Sequence, residues 1–136
     1  MVKIIMLIFM HIIGDSLLLG KKLRQQKIDS VLYLFKHVGI YTLVFLIISP
    51  IWLDLTITQT LLFNSVIALQ HFIVDFIFIK IKKHFWDTKV YKFVVVYGAL
   101  EHLIHVVLII GIYMYLFPDK IDISTWWGDF LNIIQR

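Results

Sequence analysis

The chain has 136 residues, of which 60% are hydrophobic and only 16% charged, and its mean hydropathy is +0.88. Soluble domains are about 45–50% apolar and about 25% charged, so this composition indicates an integral membrane protein. The absence of cysteine excludes disulfides and thiolate metal sites, and the net charge of +4 comes from basic residues between apolar stretches, which does not predict nucleic-acid binding.

Four apolar stretches follow one another along the chain, and each is long enough to cross a bilayer as a helix. About 20 mostly apolar residues are needed to span the hydrocarbon core. The stretches are residues 2–20, 31–53, 57–79 and 90–117. No small-residue cleavage site follows the first stretch, so we expect it to remain in the mature protein as the first span. Pro118 ends the fourth, since proline cannot continue a helix.

Basic residues lie in the first and third connections between these stretches and are absent from the second. They are Lys21, Lys22, Arg24 and Lys27, then Lys80, Lys82, Lys83, Lys89 and Lys92. The positive-inside rule therefore places both connections in the cytoplasm and both termini outside. The prediction is an all-α, multi-pass protein of the cell (inner) membrane, with a four-transmembrane-helix bundle over residues 1–117 in the N-out/C-out orientation.

The segment 118–136 has a different pattern, with apolar residues near helical spacing and polar residues between them. The apolar residues are Trp126, Trp127, Phe130, Leu131 and Ile134. This pattern predicts an amphipathic helix in the outer interface, with the tryptophans at headgroup level. Docking to a partner is the alternative.

The first and third spans each contain the pattern H-x-x-x-D, in His11 with Asp15 and in His71 with Asp75. Residues four apart are neighbours on one helix face. Both histidines precede the basic end of their span by nine residues, so the two pairs are predicted at matched depth in the cytoplasmic half of the bilayer. Ionisable residues at membrane depth cost about 2.5–3.5 kcal/mol on insertion scales, and they tend to mark function.

The second and fourth spans contribute polar residues at similar depth. His37 lies six residues inside the second span with Tyr41 one turn deeper, and the fourth carries Glu101, His102 and His105. All four helices are therefore predicted to direct titratable groups to one buried centre.

Imidazole and carboxylate without thiolate is the ligand set of a divalent metal, with zinc foremost and manganese or iron as alternatives. The predicted metal ligands are His11, Asp15, His71, Asp75 and His105. Glu101 and His37 are assigned catalytic roles, Glu101 as general base or ligand and His37 as ligand or orienting partner. The alternative for each H-x-x-x-D pair is an interhelical hydrogen bond.

This order of motifs resembles a family of small bacterial and phage membrane proteins, domain of unknown function 3307. The matching residues are His11, Asp15, His37, Tyr41, His71, Asp75, Glu101 and His105. The chain departs from the family pattern at Leu19 and His102, where the family has glutamine. The resemblance implies a shared polar core over nearly the whole chain and no particular activity.

Three functions fit this pattern. The first is an intramembrane metal-dependent hydrolase acting on a lipid or other membrane-delivered substrate. The second is a transporter or a proton or cation pathway, which a chain this short would form as a homo-oligomer. The third is a noncatalytic membrane adaptor. Lys80, Lys82 and Lys83 could also bind an anionic lipid headgroup or substrate at the cytoplasmic rim, although topology already explains them.

Overall fold

The computed structural model describes residues 2–17 and 30–120, and all regular structure within these two ranges is helical. The helices are α1 (Val2–Ile12, continued by a π-helical turn, Ile13–Leu17), α2 (Val31–Trp52), α3 (Ile57–Asp87) and α4 (Tyr91–Leu116), followed by a 3-10 turn, Pro118–Lys120. The end of the predicted first span, the first basic connection and the predicted interfacial helix within 121–136 lie outside the described residues.

Three of the helices are long and apolar enough to cross a membrane. The most apolar windows of α2, α3 and α4 have mean hydropathies of 2.0, 1.8 and 2.2. The described part of the first span is shorter, with 11 residues in α1 and 5 in the π-helical turn. The membrane class predicted from the sequence is therefore supported by three candidate spans, while the first predicted span, the total of four spans and the orientation remain predictions.

The connection between α2 and α3 is fixed by local sequence signals. Pro50 lies in the last turn of α2, where its missing N–H loosens the helix ladder, and the helix ends at Trp52. Asp54 then adopts a positive φ of 55°. At the start of α3, Thr56 and Gln59 form a reciprocal capping box with hydrogen bonds of 3.0 and 3.3 Å. The chain turns here as the sequence predicts.

The third connection is shorter than predicted, because α3 continues to Asp87 instead of ending at residue 79. Lys80, Lys82 and Lys83 accordingly lie on the helix and not in a loop. Lysine is a good helix former, so a run of lysines ends an apolar span without ending the helix. The added turns pack against α4 through Phe85, whose ring centroid lies 5.2 Å from that of Tyr97.

The α3–α4 hairpin extends past the start of α2. His37 and His71 are in contact, so they mark a common level in the bundle. From that level α2 begins after six residues, about 9 Å, whereas α3 runs sixteen residues further to Asp87, about 24 Å. The hairpin therefore reaches about 15 Å beyond the start of α2, and it carries the lysines of the third connection.

An apolar layer supports the polar residues on the opposite side, towards the α2–α3 turn. Its largest fully buried side chains include Tyr41, Phe45, Phe63, Ile109 and Tyr113. The outward faces are also apolar, and Ile57 is 80% exposed. Apolar residues outside and polar residues inside are the arrangement expected of a bundle surrounded by lipid.

Candidate metal centre

A close approach of α1 to α2 places the first H-x-x-x-D pair. Gly14 lies in the π-helical turn, and a Cβ added there would come within 2.9 Å of Cδ2 of Tyr41. The absent side chain therefore lets this turn pack against the Tyr41 ring. Asp15, the next residue, is buried and faces the second and third helices.

Two imidazoles and two carboxylates meet inside the bundle, and we call them the central cluster: Asp15, His37, His71 and Asp75. The Nε2 atoms of His37 and His71 are 3.0 Å apart. Oδ1 of Asp15 lies 3.0 Å from the first of these atoms and 3.9 Å from the second. Oδ2 of Asp75 lies 3.1 and 3.7 Å from the same two atoms. All four side chains are at most 5% exposed.

These distances suit a metal ion. Zinc binds imidazole nitrogen and carboxylate oxygen at about 2.0–2.1 Å, so neighbouring ligands of a tetrahedral site lie about 3.3 Å apart. Asp15 forms a group of potential ligands with the His37–His71 pair, and Oδ2 of Asp75 lies within 3.7 Å of both imidazole nitrogens. A cation between them would also offset the buried negative charge of Asp15 and Asp75, which is costly at membrane depth.

Each carboxylate of the central cluster uses its second oxygen to contact α4. Oδ2 of Asp15 lies 2.8 Å from Nδ1 of His102, and Oδ1 of Asp75 lies 3.2 Å from Nε2 of His105. Two further groups of potential ligands result, His11 with Asp15 and His102, and His71 with Asp75 and His105, each with its ligand atoms within 4.8 Å of one another. Asp15 and Asp75 therefore join the central cluster to its flanks.

Neighbouring side chains fix the orientation of the imidazoles. The amide Nε2 of Gln70 donates to Nδ1 of His105 at 3.1 Å, which leaves Nε2–H of His105 to donate to Asp75. The ring of Tyr41 stacks on His71 at 3.9 Å between centroids, and its hydroxyl lies 3.2 Å from Nδ1 of His11. Partners of this kind set the tautomer and ring position of a metal-binding histidine.

Glu101 is buried, and its position differs from that of the predicted ligands. Glu101 lies on α4, one helical turn before His105. Its buried carboxylate forms an ion pair with the ammonium of Lys82 on α3. It belongs to none of the three ligand groups found among the described residues. The structure therefore distributes the five predicted ligands and His37 over three groups linked by Asp15 and His71, and we call these residues together the assembly; Glu101 lies outside the groups, beside Lys82.

A groove of about 320 Å³ connects the surface of the bundle with this assembly. Its lining residues are Ile8, His11, Ile12, His102, Leu103 and Val106, from α1 and α4. His102 is half exposed here although it contacts Asp15. His11 is almost fully buried, and its Nε2 has no hydrogen-bond partner in the part of the chain that the structure describes.

Fold and site together define a helical protein with three candidate membrane spans around buried His/Asp groups that could hold a metal ion. No protein-family model, curated protein or solved structure matches the chain. The family resemblance of its motifs stays a prediction.

Proposed function

We propose that this chain is an intramembrane metalloprotein that binds one divalent transition metal in the central cluster, zinc foremost, with manganese or iron as alternatives. The observation that carries the proposal is the position of His37 Nε2. It lies 3.0–3.1 Å from a nitrogen of His71 and from carboxylate oxygens of Asp15 and Asp75, with the His37 side chain fully buried. An all-nitrogen-and-oxygen ligand set of this kind favours these metals.

The activity that this geometry supports best is hydrolysis. A bound metal lowers the pKa of a coordinated water towards neutrality and so supplies hydroxide. Catalytic metal sites keep an open position. The groove is lined by His102, which contacts Asp15, so it offers a path towards that side of the central cluster. His102 takes the role of general base, because its Nδ1 donates to Asp15 and its half-exposed ring lines the groove. Glu101, which pairs with Lys82, does not take that role.

A proton pathway is the second candidate, and one observation favours it. Contacts of 3.2 Å or less link Gln70, His105, Asp75, His37, Asp15 and His102 in an unbroken series across three helices and the π-helical turn. Chains of histidine and carboxylate side chains are typical of proton relays within membranes.

Metal analysis of the detergent-purified protein separates these candidates. We expect stoichiometric metal in the wild type, its loss in His71→Ala, and its retention in His84→Ala, which removes an exposed imidazole near the end of the same helix. A folded wild-type protein without metal would contradict the metalloprotein. If that metal-free protein conducted protons in liposomes, the second candidate would replace it.

A further inference from the structure

The groove between α1 and α4 has a polar end and an aliphatic end. His11 approaches His105 of α4, while Asp15, one turn further along α1, contacts His102, so the two helices are antiparallel. The groove therefore runs from His11 and His102 at one end to Ile8 and Val106 at the other.

This polarity matches the way a lipid lies in a membrane. His102 is one helical turn closer than Val106 to the hairpin end of α4, where Lys89 and Lys92 are exposed. A lipid likewise places its ester nearer the charged surface and its acyl chain towards the bilayer centre. Ligand sites are mostly apolar with a few placed polar groups, as this groove is.

The surroundings of the groove also favour a lipid. Leu103, which lines it, and Val107, which does not, are both 59% exposed, and Ile5 and Phe9 on α1 are about half exposed. In a bundle with membrane-length helices, such a surface is in contact with acyl chains.

We infer that the groove holds an acyl chain of a membrane lipid, with the ester at the His11–His102 end, so that the substrate of the proposed hydrolysis is an acyl lipid. This inference rests on the proposed function. The oxygen of water bonds to the ester carbonyl carbon and the carbonyl carbon–alkoxy oxygen bond breaks. The proton taken up by His102 passes to the departing alkoxy oxygen, and the products are a fatty acid and a lysolipid.

Photo-cross-linking tests the inference directly. The probe is phosphatidylcholine with a diazirine in one acyl chain, placed in nanodiscs with the purified protein. We expect cross-linked peptides to contain the groove residues of α1 and α4, and Leu103→Trp, which fills the groove, to lose most of this labelling. Val107→Trp adds the same ring at an equally exposed neighbouring position and should label like the wild type.

Metal content is measured on the same samples, so that the two proposals can fail separately. Groove labelling in a metal-free wild-type protein would support the lipid site and contradict the metalloprotein. Metal binding with labelling spread evenly around the lipid-facing surface would contradict the lipid site. If Leu103→Trp does not fold, Val106→Phe replaces it as the variant that fills the groove. The wild-type protein also decides alone, because the lipid site predicts more cross-links at Val106, which lines the groove, than at Val107, which does not.

Discussion

Three short polar contacts meet at His37, for which the sequence predicts a catalytic role as ligand or orienting partner. Its Nε2 contacts His71 and both carboxylates of the central cluster. Helix periodicity predicts which face a residue occupies, and distance from the span end predicts its depth. Neither predicts which ring nitrogen points at which oxygen, since that depends on how each helix is rotated by its packing.

Replacing His37 and His102 one at a time should separate metal binding from proton transfer. We expect His37→Ala to lose the metal, because it removes the nitrogen closest to both carboxylates. His102→Ala should keep the metal and lose hydrolysis, because His102 contacts the outer oxygen of Asp15. Metal content and fatty-acid release from phosphatidylcholine vesicles are the readouts. Loss of metal in His102→Ala with retention in His37→Ala would show that the metal lies on the flank and not in the central cluster.

The packing role of Gly14 has no signal in the sequence. An added methyl group would meet the buried Tyr41 ring, which itself stacks on His71. Gly14→Ala should therefore lower the free energy of unfolding by about 1–3 kcal/mol, the usual cost of overpacking. Thermal unfolding in detergent, followed by circular dichroism, measures it.

Gly39→Ala is the matched control for this change, because nothing lies within 4 Å of a Cβ added there. Alanine is the better helix former, so this variant should be as stable as the wild type or more so. Equal destabilisation by both substitutions would contradict a specific contact between Gly14 and Tyr41.

At the scale of the helices, sequence and structure agree on where α2, α3 and α4 begin and on the positions of α2 and α4 as spans. They differ at the end of α3, because polar residues mark the end of an apolar span whereas a helix ends only where its backbone ladder is broken. Here that break comes at Thr88–Val90, where Lys89 has a positive φ of 58°. The Lys82–Glu101 pair depends on this extra helical length, so no pattern in the sequence indicates it.

That pair leads to a prediction about how α3 and α4 are held together. Lys82→Met should lower the free energy of unfolding by about 3 kcal/mol, because it removes the cation that contacts a buried carboxylate. Lys83→Met removes an exposed charge at the adjacent position and should have little effect. Denaturant titration of the two variants in the same detergent measures the difference. Equal stability would mean that Glu101 does not depend on Lys82.

Considered as a whole molecule, the bundle has an apolar outer surface and a polar interior to which every described helix or turn in the transmembrane region contributes. The hydropathy of the chain predicts the outer surface, and the repeated H-x-x-x-D spacing predicts that polar residues from different spans share a level. Gln70 escaped prediction because a single glutamine in an apolar stretch has no pattern, although it lies next to His71 and contacts His105. The closeness of Asp15 and Asp75 to one pair of imidazoles is the observation on which the proposed metal rests.

X-ray absorption spectroscopy at the zinc edge of the purified protein tests this central claim most directly. The account predicts a first shell of nitrogen and oxygen atoms alone at about 2.0–2.1 Å, with outer-shell scattering from the two imidazoles of His37 and His71. A first shell containing sulfur, or one without imidazole scattering, would contradict the central cluster as the site of the metal.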